Sequence, residues 1–270
     1  LHQLIKNIYY NTDMNLKSLN ELSLRDKLSK WFKSPLGEVV FAMENDQLKD
    51  ILPRLFGYHI LQFGYCAELN YLTSSRVSNK TILFLEDTEI QKSVKTAVRT
   101  TAEELPIALE SVDVVLLPHI LEYSNDTHRL LREMERILIC EGYAVIIGIN
   151  PFSLWGLYHL FFCWWNKMPW GGRLISISRM KDWLSLLDFE IEKVKYFFFS
   201  PPVSNVKLLK KFLPLERLGQ YCCPIFGGLY VVVAKKRVTP LSPIKMKWQK
   251  KRNIIVTESI EPTSREVIKN

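Results

Sequence analysis

The stretch Tyr58–Leu69, YHILQFGYCAEL, decides how this chain is read. Ile60, Leu61 and Phe63 make an apolar run of β type that stops at Gly64, and a turn of small and polar residues comes next. A buried strand that ends at a glycine and turns towards a helix is how an open α/β sheet opens a ligand crevice. One glycine alone also fits any tight strand exit, so the remainder of the chain has to supply the fold.

The remainder does so. Lys80–Leu85, Val94–Arg99, Val112–Leu117 and Tyr143–Ile149 are short apolar runs, most of them rich in Val, Ile and Leu, as strands buried on both faces require. Phe189–Phe197 and Gly228–Ala234 are two more. Asn125–Ile139 reads as an amphipathic helix, with Leu130, Leu131, Met134, Ile137 and Leu138 on one face and Asn125 or Asp126 as its cap. Phe152–Trp165 and Ser178–Leu187 read as further helices. Ahead of the first strand, Leu22–Lys33 and Pro35–Phe56 carry helical periodicity, with Ser34-Pro35 as a cap and first-turn proline. Strands alternating with helices predict a mostly parallel sheet of about seven strands, its last strand antiparallel.

Composition bounds the class. With 270 residues, 47% of them hydrophobic, and seven Trp, eleven Tyr and fourteen Phe, the chain can bury a large core and is not a disordered segment. The formal charge is +8, but Lys235–Arg252 alone holds eight Lys or Arg and no acid, so the body is near balance. Lys235, Lys236, Arg237, Lys245, Lys247, Lys250, Lys251 and Arg252 could meet RNA or an acidic membrane surface, or form a solvated tail. Five scattered cysteines without a CxxC pair fit reduced thiols in a cytoplasmic protein. The longest apolar run, Leu154–Trp165, is interrupted by His159 and falls short of the ~20 residues of a spanning helix. The N-terminus lacks the pattern of a signal peptide, and Met14 is a candidate start residue. The expected organisation is an arm over 1–19, a helical extension over 20–57, an α/β domain over 58–238 and a basic, extended tail over 239–270.

Several blocks carry a further signal: SPLGEVV at Ser34–Val40, LFGYHILQFG at Leu55–Gly64, and SVDVVLLPHILEYSNDTHRLLREMERIL at Ser111–Leu138. GINPFSLWGL at Gly148–Leu157, DWLSLLDFEIE at Asp182–Glu192 and GGLYVVVAKKRVTPL at Gly227–Leu241 continue it. In these blocks the chain resembles class I S-adenosylmethionine-dependent methyltransferases, within a bacterial subgroup of unassigned substrate. The resemblance implies a Rossmann-like methyltransferase sheet and S-adenosylmethionine as cofactor. It implies cofactor contacts at Phe63, Gly64, Tyr65, Cys66 and Glu68, at Glu86 or Asp87 for the ribose, at Thr101 and Ala102 for the adenine, and at Leu117 and Pro118. It also exposes departures. Gln62 stands where the family has an acid, Cys66 and Glu68 where it has glycines, and Thr101 where it has an Asp.

Each of these residues has a plainer role open to it. Asp113 can anchor its strand. His119, at the end of the fourth strand, can act as a general base or pack against the pocket wall. Asn150-Pro151-Phe152 resembles the Asn-Pro-Pro-aromatic tetrapeptide of amino-methylating enzymes, one proline short and one strand late, and it can equally open a helix. Glu122, Phe152 and Trp155 are the residues expected at the acceptor pocket; no metal site is expected. Two functions from different classes remain open: a methyltransferase acting on a small or hydrophobic molecule or on RNA, or a methyltransferase-like fold that has lost its cofactor and binds partners.

Overall fold

The computed structural model describes residues 27–64, 69–85, 97–100, 105–162, 172–202, 216, 219, 221 and 223–237. The chain divides into two units, Leu1–Val238 and Thr239–Asn270, and every described residue belongs to the first. The N-terminal arm and the tail beyond Arg237 fall outside the described residues.

His59–Gly64 (β1), Asn79–Leu85 (β2), Ala97–Thr100 (β3), Val112–Pro118 (β4), Leu138–Ile149 (β5), Phe189–Phe197 (β6) and Leu229–Lys236 (β7) form one sheet. Its strand order is β3-β2-β1-β4-β5-β7-β6. β1 to β5 run parallel, and β7 lies antiparallel between β5 and β6. The seven strands and the antiparallel seventh match the sequence reading. β1 and β4 are buried along nearly their whole length, which is why they read as unbroken apolar runs.

The order reverses between β1 and β4, the point at which open α/β sheets bind ligands beyond the carboxyl ends of their strands. Asp113 fixes the register of this pair. Its Oδ2 accepts from Tyr58 N (2.9 Å) and His59 N (2.8 Å), tying the amino end of β1 to β4. Gly57 makes room for it, since a Cβ there would lie 2.3 Å from that of Asp113.

Residues 27–32 are helical (α1) and lead through Ser34 into Pro35–Ile51 (α2). Ser34 Oγ accepts from Gly37 N at 3.2 Å and Pro35 occupies the first turn, as the sequence predicts. The buried stripe of α2 is Leu36, Val40, Glu44, Leu48 and Ile51, with Val39 and Met43 half-buried beside it. Thr127–Ile137 (α3) is capped by Asp126, whose side chain accepts from Arg129 N. It runs into β5 with no loop, so β5 begins at Leu138 rather than at Tyr143.

Leu154–Phe162 (α4) starts two residues later than predicted, because Asn150 and Ser153 build a turn first. Ser153 Oγ donates to Asn150 O at 2.6 Å and accepts from Gly156 N at 3.2 Å. Ile177–Leu186 (α5) is capped by Ser176. The predicted ends of the third strand (residues 94–96) and of the aromatic helix (163–165) fall outside the described residues.

Candidate active site at the carboxyl ends of β1 and β4

Gly64 ends β1 and faces Pro118 at the end of β4. Among the described residues, a Cβ built on Gly64 would meet nothing closer than Pro118 Cγ at 3.7 Å, which leaves its backbone open on that side. Leu28, Phe32, Gln62, Leu69, Tyr71 and His119 complete a small cavity with these two residues. Phe63 and Leu117 lie beside it as buried strand residues. The other residues expected to touch the cofactor, Tyr65, Cys66, Glu68, Glu86, Asp87, Thr101 and Ala102, fall outside the described residues.

Gln62 has a defined task. Its Nε2 donates to Leu69 O (2.5 Å) and its Oε1 accepts from Tyr71 N (3.0 Å), and Gln62 and Tyr71 are themselves buried. The side chain thus clamps both ends of the stretch 63–70 together. An ionised carboxyl in its place would have no proton for the Leu69 carbonyl. The departure from the family's acid is matched by a backbone arrangement that uses an amide.

His119 lies at the centre of a buried charge cluster that the sequence reading did not foresee. Its Nε2 donates to Glu44 Oε1 at 2.6 Å, and Tyr71 Oη donates to Glu44 Oε2 at 2.5 Å. On its other side, Nδ1 stands 3.7 Å from Glu122 Oε1, which also accepts from Ile149 N at 2.8 Å. Burial works against charge on this imidazole, but the two carboxylates outweigh it and hold the pKa up at about 10. This surrounding favours the imidazolium form, and with Nε2 engaged by Glu44 the geometry suits a positioning role better than that of a general base. Its backbone sits at φ 52°, a left-handed conformation that costs a side-chain-bearing residue about 1 kcal/mol or more. Among the described residues, no three His, Cys, Asp or Glu side chains are set to hold a metal ion.

Asn150 is also committed. Its Nδ2 donates to Ile225 O (2.7 Å) and Gly227 O (2.9 Å), its Oδ1 accepts from Phe152 N (3.1 Å), and its own N–H donates to Gly228 O (2.9 Å). With both amide protons and one lone pair of Oδ1 bound to backbone, it fastens the start of α4 to the start of β7. Trp155 is buried and donates Nε1–H to Ser200 O at 2.9 Å. Phe152 projects outward, 66% exposed, and lines no described pocket. Trp155 instead belongs to an aromatic series: Phe32 beside His119 (centroids 6.1 Å), Trp31 against Phe32 (5.0 Å), Trp155 against Trp31 (6.3 Å) and Phe198 against Trp155 (5.3 Å).

Comparison with known proteins agrees with this geometry. Residues 63–146 match the family model described as "Methyltransferase domain". The chain is 34% identical over 224 residues to the uncharacterized protein YafS of Escherichia coli K12, covering 82% of this chain and 86% of that one. The chain belongs to one family with YafS and carries a methyltransferase domain. Among solved structures, a methyltransferase of Thermotoga maritima described as a possible histamine N-methyltransferase superposes with a TM-score of 0.59 at 19% identity, over 78% of this chain and 96% of that one. One from Archaeoglobus fulgidus gives 0.53 at 18% identity, over 73% and 94%. At these identities the likeness is one of fold. Within this methyltransferase, the matched segment begins at Phe63 and contains Gly64, Pro118, His119 and Glu122.

Of the eight cations expected to meet RNA or an acidic surface, the three that are described are already paired. Lys235 Nζ lies 2.7 Å from Glu141, Arg237 bonds Glu190 and Glu141, and Lys236 donates to Glu135 O (2.7 Å) and Leu138 O (3.0 Å) while pairing with Glu135 Oε1 (2.8 Å).

Proposed function

We propose that this protein binds S-adenosylmethionine over Gly64, between the carboxyl ends of β1 and β4, and methylates an apolar small molecule held on the His119 side. The observation that carries the cofactor half of this reading is the open backbone at Gly64 on the sheet's reversal point. The bound cofactor supplies an electrophilic methyl on a sulfonium. Everything else falls to this chain's residues.

Gln62 holds the backbone on both sides of the crevice loop so that Gly64 stays accessible. Phe32, Leu28 and Leu69 give the cavity an apolar lining, with Trp31, Trp155 and Phe198 packed in series behind Phe32, which favours an apolar acceptor over a polyanion. Methyl transfer depends chiefly on alignment of donor and acceptor. His119, as an imidazolium, contributes position and field rather than proton abstraction. The acceptor atom must therefore be nucleophilic without help from this residue. Family membership favours this enzyme over the alternative of a fold that has lost its cofactor.

Isothermal calorimetry on the full chain with S-adenosylmethionine and S-adenosylhomocysteine tests the reading. Saturable heat with either is expected. A folded sample that gives no heat with both would end it.

A further inference from the structure

We infer, on the footing of the cofactor reading above, that α1 is a gate across the crevice at Gly64 and that Gly37 is the residue that lets it shut. Leu28 and Phe32, both buried, reach from α1 into the cavity that Gly64, Pro118 and His119 line. With these two side chains in place, the cavity measures about 20 Å³. A single water needs ~10–15 Å³, so this space holds about one and falls well short of a small-molecule site. Neither a sulfonium nor an acceptor reaches Gly64 until Leu28 and Phe32 withdraw.

The walls opposite α1 are fixed. Gln62 is clamped to Leu69 and Tyr71, His119 is held by Glu44, and Gly64 and Pro118 end paired strands of the sheet. The element able to withdraw is α1, which joins α2 through the short corner at Lys33 and Ser34. Lys27, Lys30 and Lys33 share its exposed face at helical spacing, while Leu28 and Phe32 lie on the buried one. Shut, it rests on ring contacts of Phe32 with His119 (6.1 Å) and of Trp31 with Trp155 (6.3 Å).

The corner is built around the side chain that Gly37 lacks. Trp31 O accepts from Ser34 N at 2.8 Å and lies against the first turn of α2. A Cβ on residue 37 would stand 2.2 Å from Trp31 O and 2.6 Å from Phe32 Cα. Both are backbone atoms and cannot rotate aside, so α1 lies down in this position only over a glycine. Gly37 is thus a positioning residue: it acts through Phe32 and touches no ligand itself.

The test is stopped-flow binding of S-adenosylhomocysteine to the full chain, followed by tryptophan fluorescence, in wild type, Gly37→Ala and Leu28→Ala. Alanine suits a helix better than glycine, so Gly37→Ala spares α2 and acts on the corner. Association and dissociation rate constants should both rise, by at least about ten-fold in Gly37→Ala and by less in Leu28→Ala, because a gate limits entry and exit alike, whereas a lost ligand contact speeds exit alone. Without ligand, trypsin should cut after Lys30 and Lys33 faster in Gly37→Ala, with the far-UV circular dichroism spectrum unchanged. Leu28→Ala leaves the corner untouched and tests the gate by itself should Gly37→Ala lose its fold. Wild-type rates in both variants overturn the gate, as does faster dissociation with unchanged association. A wild type that binds no S-adenosylhomocysteine ends the cofactor reading and this inference with it, whereas binding with unmoved rates ends this inference alone.

Discussion

Glu44 of α2 and His119 at the end of β4 lie 75 residues apart in sequence and meet at 2.6 Å in the core. The contact joins the helical extension to the strand that walls the candidate active site. It is held in place from both sides, by Tyr71 on Glu44 and by Glu122 near His119.

Removing one partner should therefore be costly. Glu44→Ala leaves a buried imidazole facing a cavity and a Tyr71 hydroxyl without its acceptor. Loss of one member of a buried pair costs about 3 to 5 kcal/mol. Urea denaturation should show a loss of that size, whereas a loss under about 1 kcal/mol, the range of exposed pairs, would mean that the contact carries little charge.

The same contact makes stability depend on pH. The folded pKa of about 10 lies above the ordinary imidazole value of 6.5, so the fold favours the protonated form. The stabilisation is complete below pH 6.5 and fades as pH climbs towards about 10. Urea midpoints of wild type and His119→Gln should converge across this window. A difference that stays constant with pH would show that His119 does not carry the proton.

At Gln62, restoring the family's acid should do harm. Gln62→Glu removes the proton given to Leu69 O and places a carboxyl in a buried amide's position, a loss of about 1 to 3 kcal/mol by the cost of an unsatisfied buried group. Thermal melts read the stability and calorimetry the S-adenosylmethionine affinity. If the variant were more stable or bound more tightly, the clamp would be a misreading.

Gly64→Val separates folding from binding. The site has room for a Cβ, so the melting temperature should change little. Cofactor affinity should fall at least about ten-fold, or about 1.4 kcal/mol, because the ligand's path over the backbone is filled. Affinity equal to wild type would move the binding site elsewhere.

Asn150→Ala should act on stability and not on chemistry. The buried Gly227 carbonyl and the part-buried Ile225 carbonyl lose their donor, a cost of about 1 to 3 kcal/mol for the buried one. Cofactor affinity measured below the melting transition should stay at the wild-type value. A stable variant with normal melting and no methyl transfer would return Asn150 to the acceptor.

The sheet was legible because its strands are buried on both faces and read as apolar runs; Val112–Pro118 is the clearest. Boundaries were less so. Nothing in the composition of LICEG marks the change from α3 to β5, because the chain alters its backbone angles at Leu138 without a turn residue. The Glu44–His119–Glu122 cluster was not legible, since pairing across 75 residues leaves no local pattern. One signal was available: Glu44 occupies a central position in the buried stripe of α2, between Val40 and Leu48, where an apolar residue is the norm. A carboxyl there announces a buried partner. Gln62 could be recognised only as a departure, because its partners Leu69 and Tyr71 contribute backbone atoms, and backbone carries no residue code.

The strand order has a consequence for how the chain is made. Among the described strands β6 pairs with β7 alone, and β7 also covers the outer edge of β5. During synthesis β6 emerges before the strand that will carry it, and the β5 edge waits uncovered through the same interval. Both close together when residues 229–236 leave the ribosome and slide between them, and Lys236 then bonds the Glu135 and Leu138 carbonyls where α3 meets β5. A nascent chain halted before this point offers a long apolar edge to any other strand nearby. The seventh strand is the one on which the safety of the six before it depends.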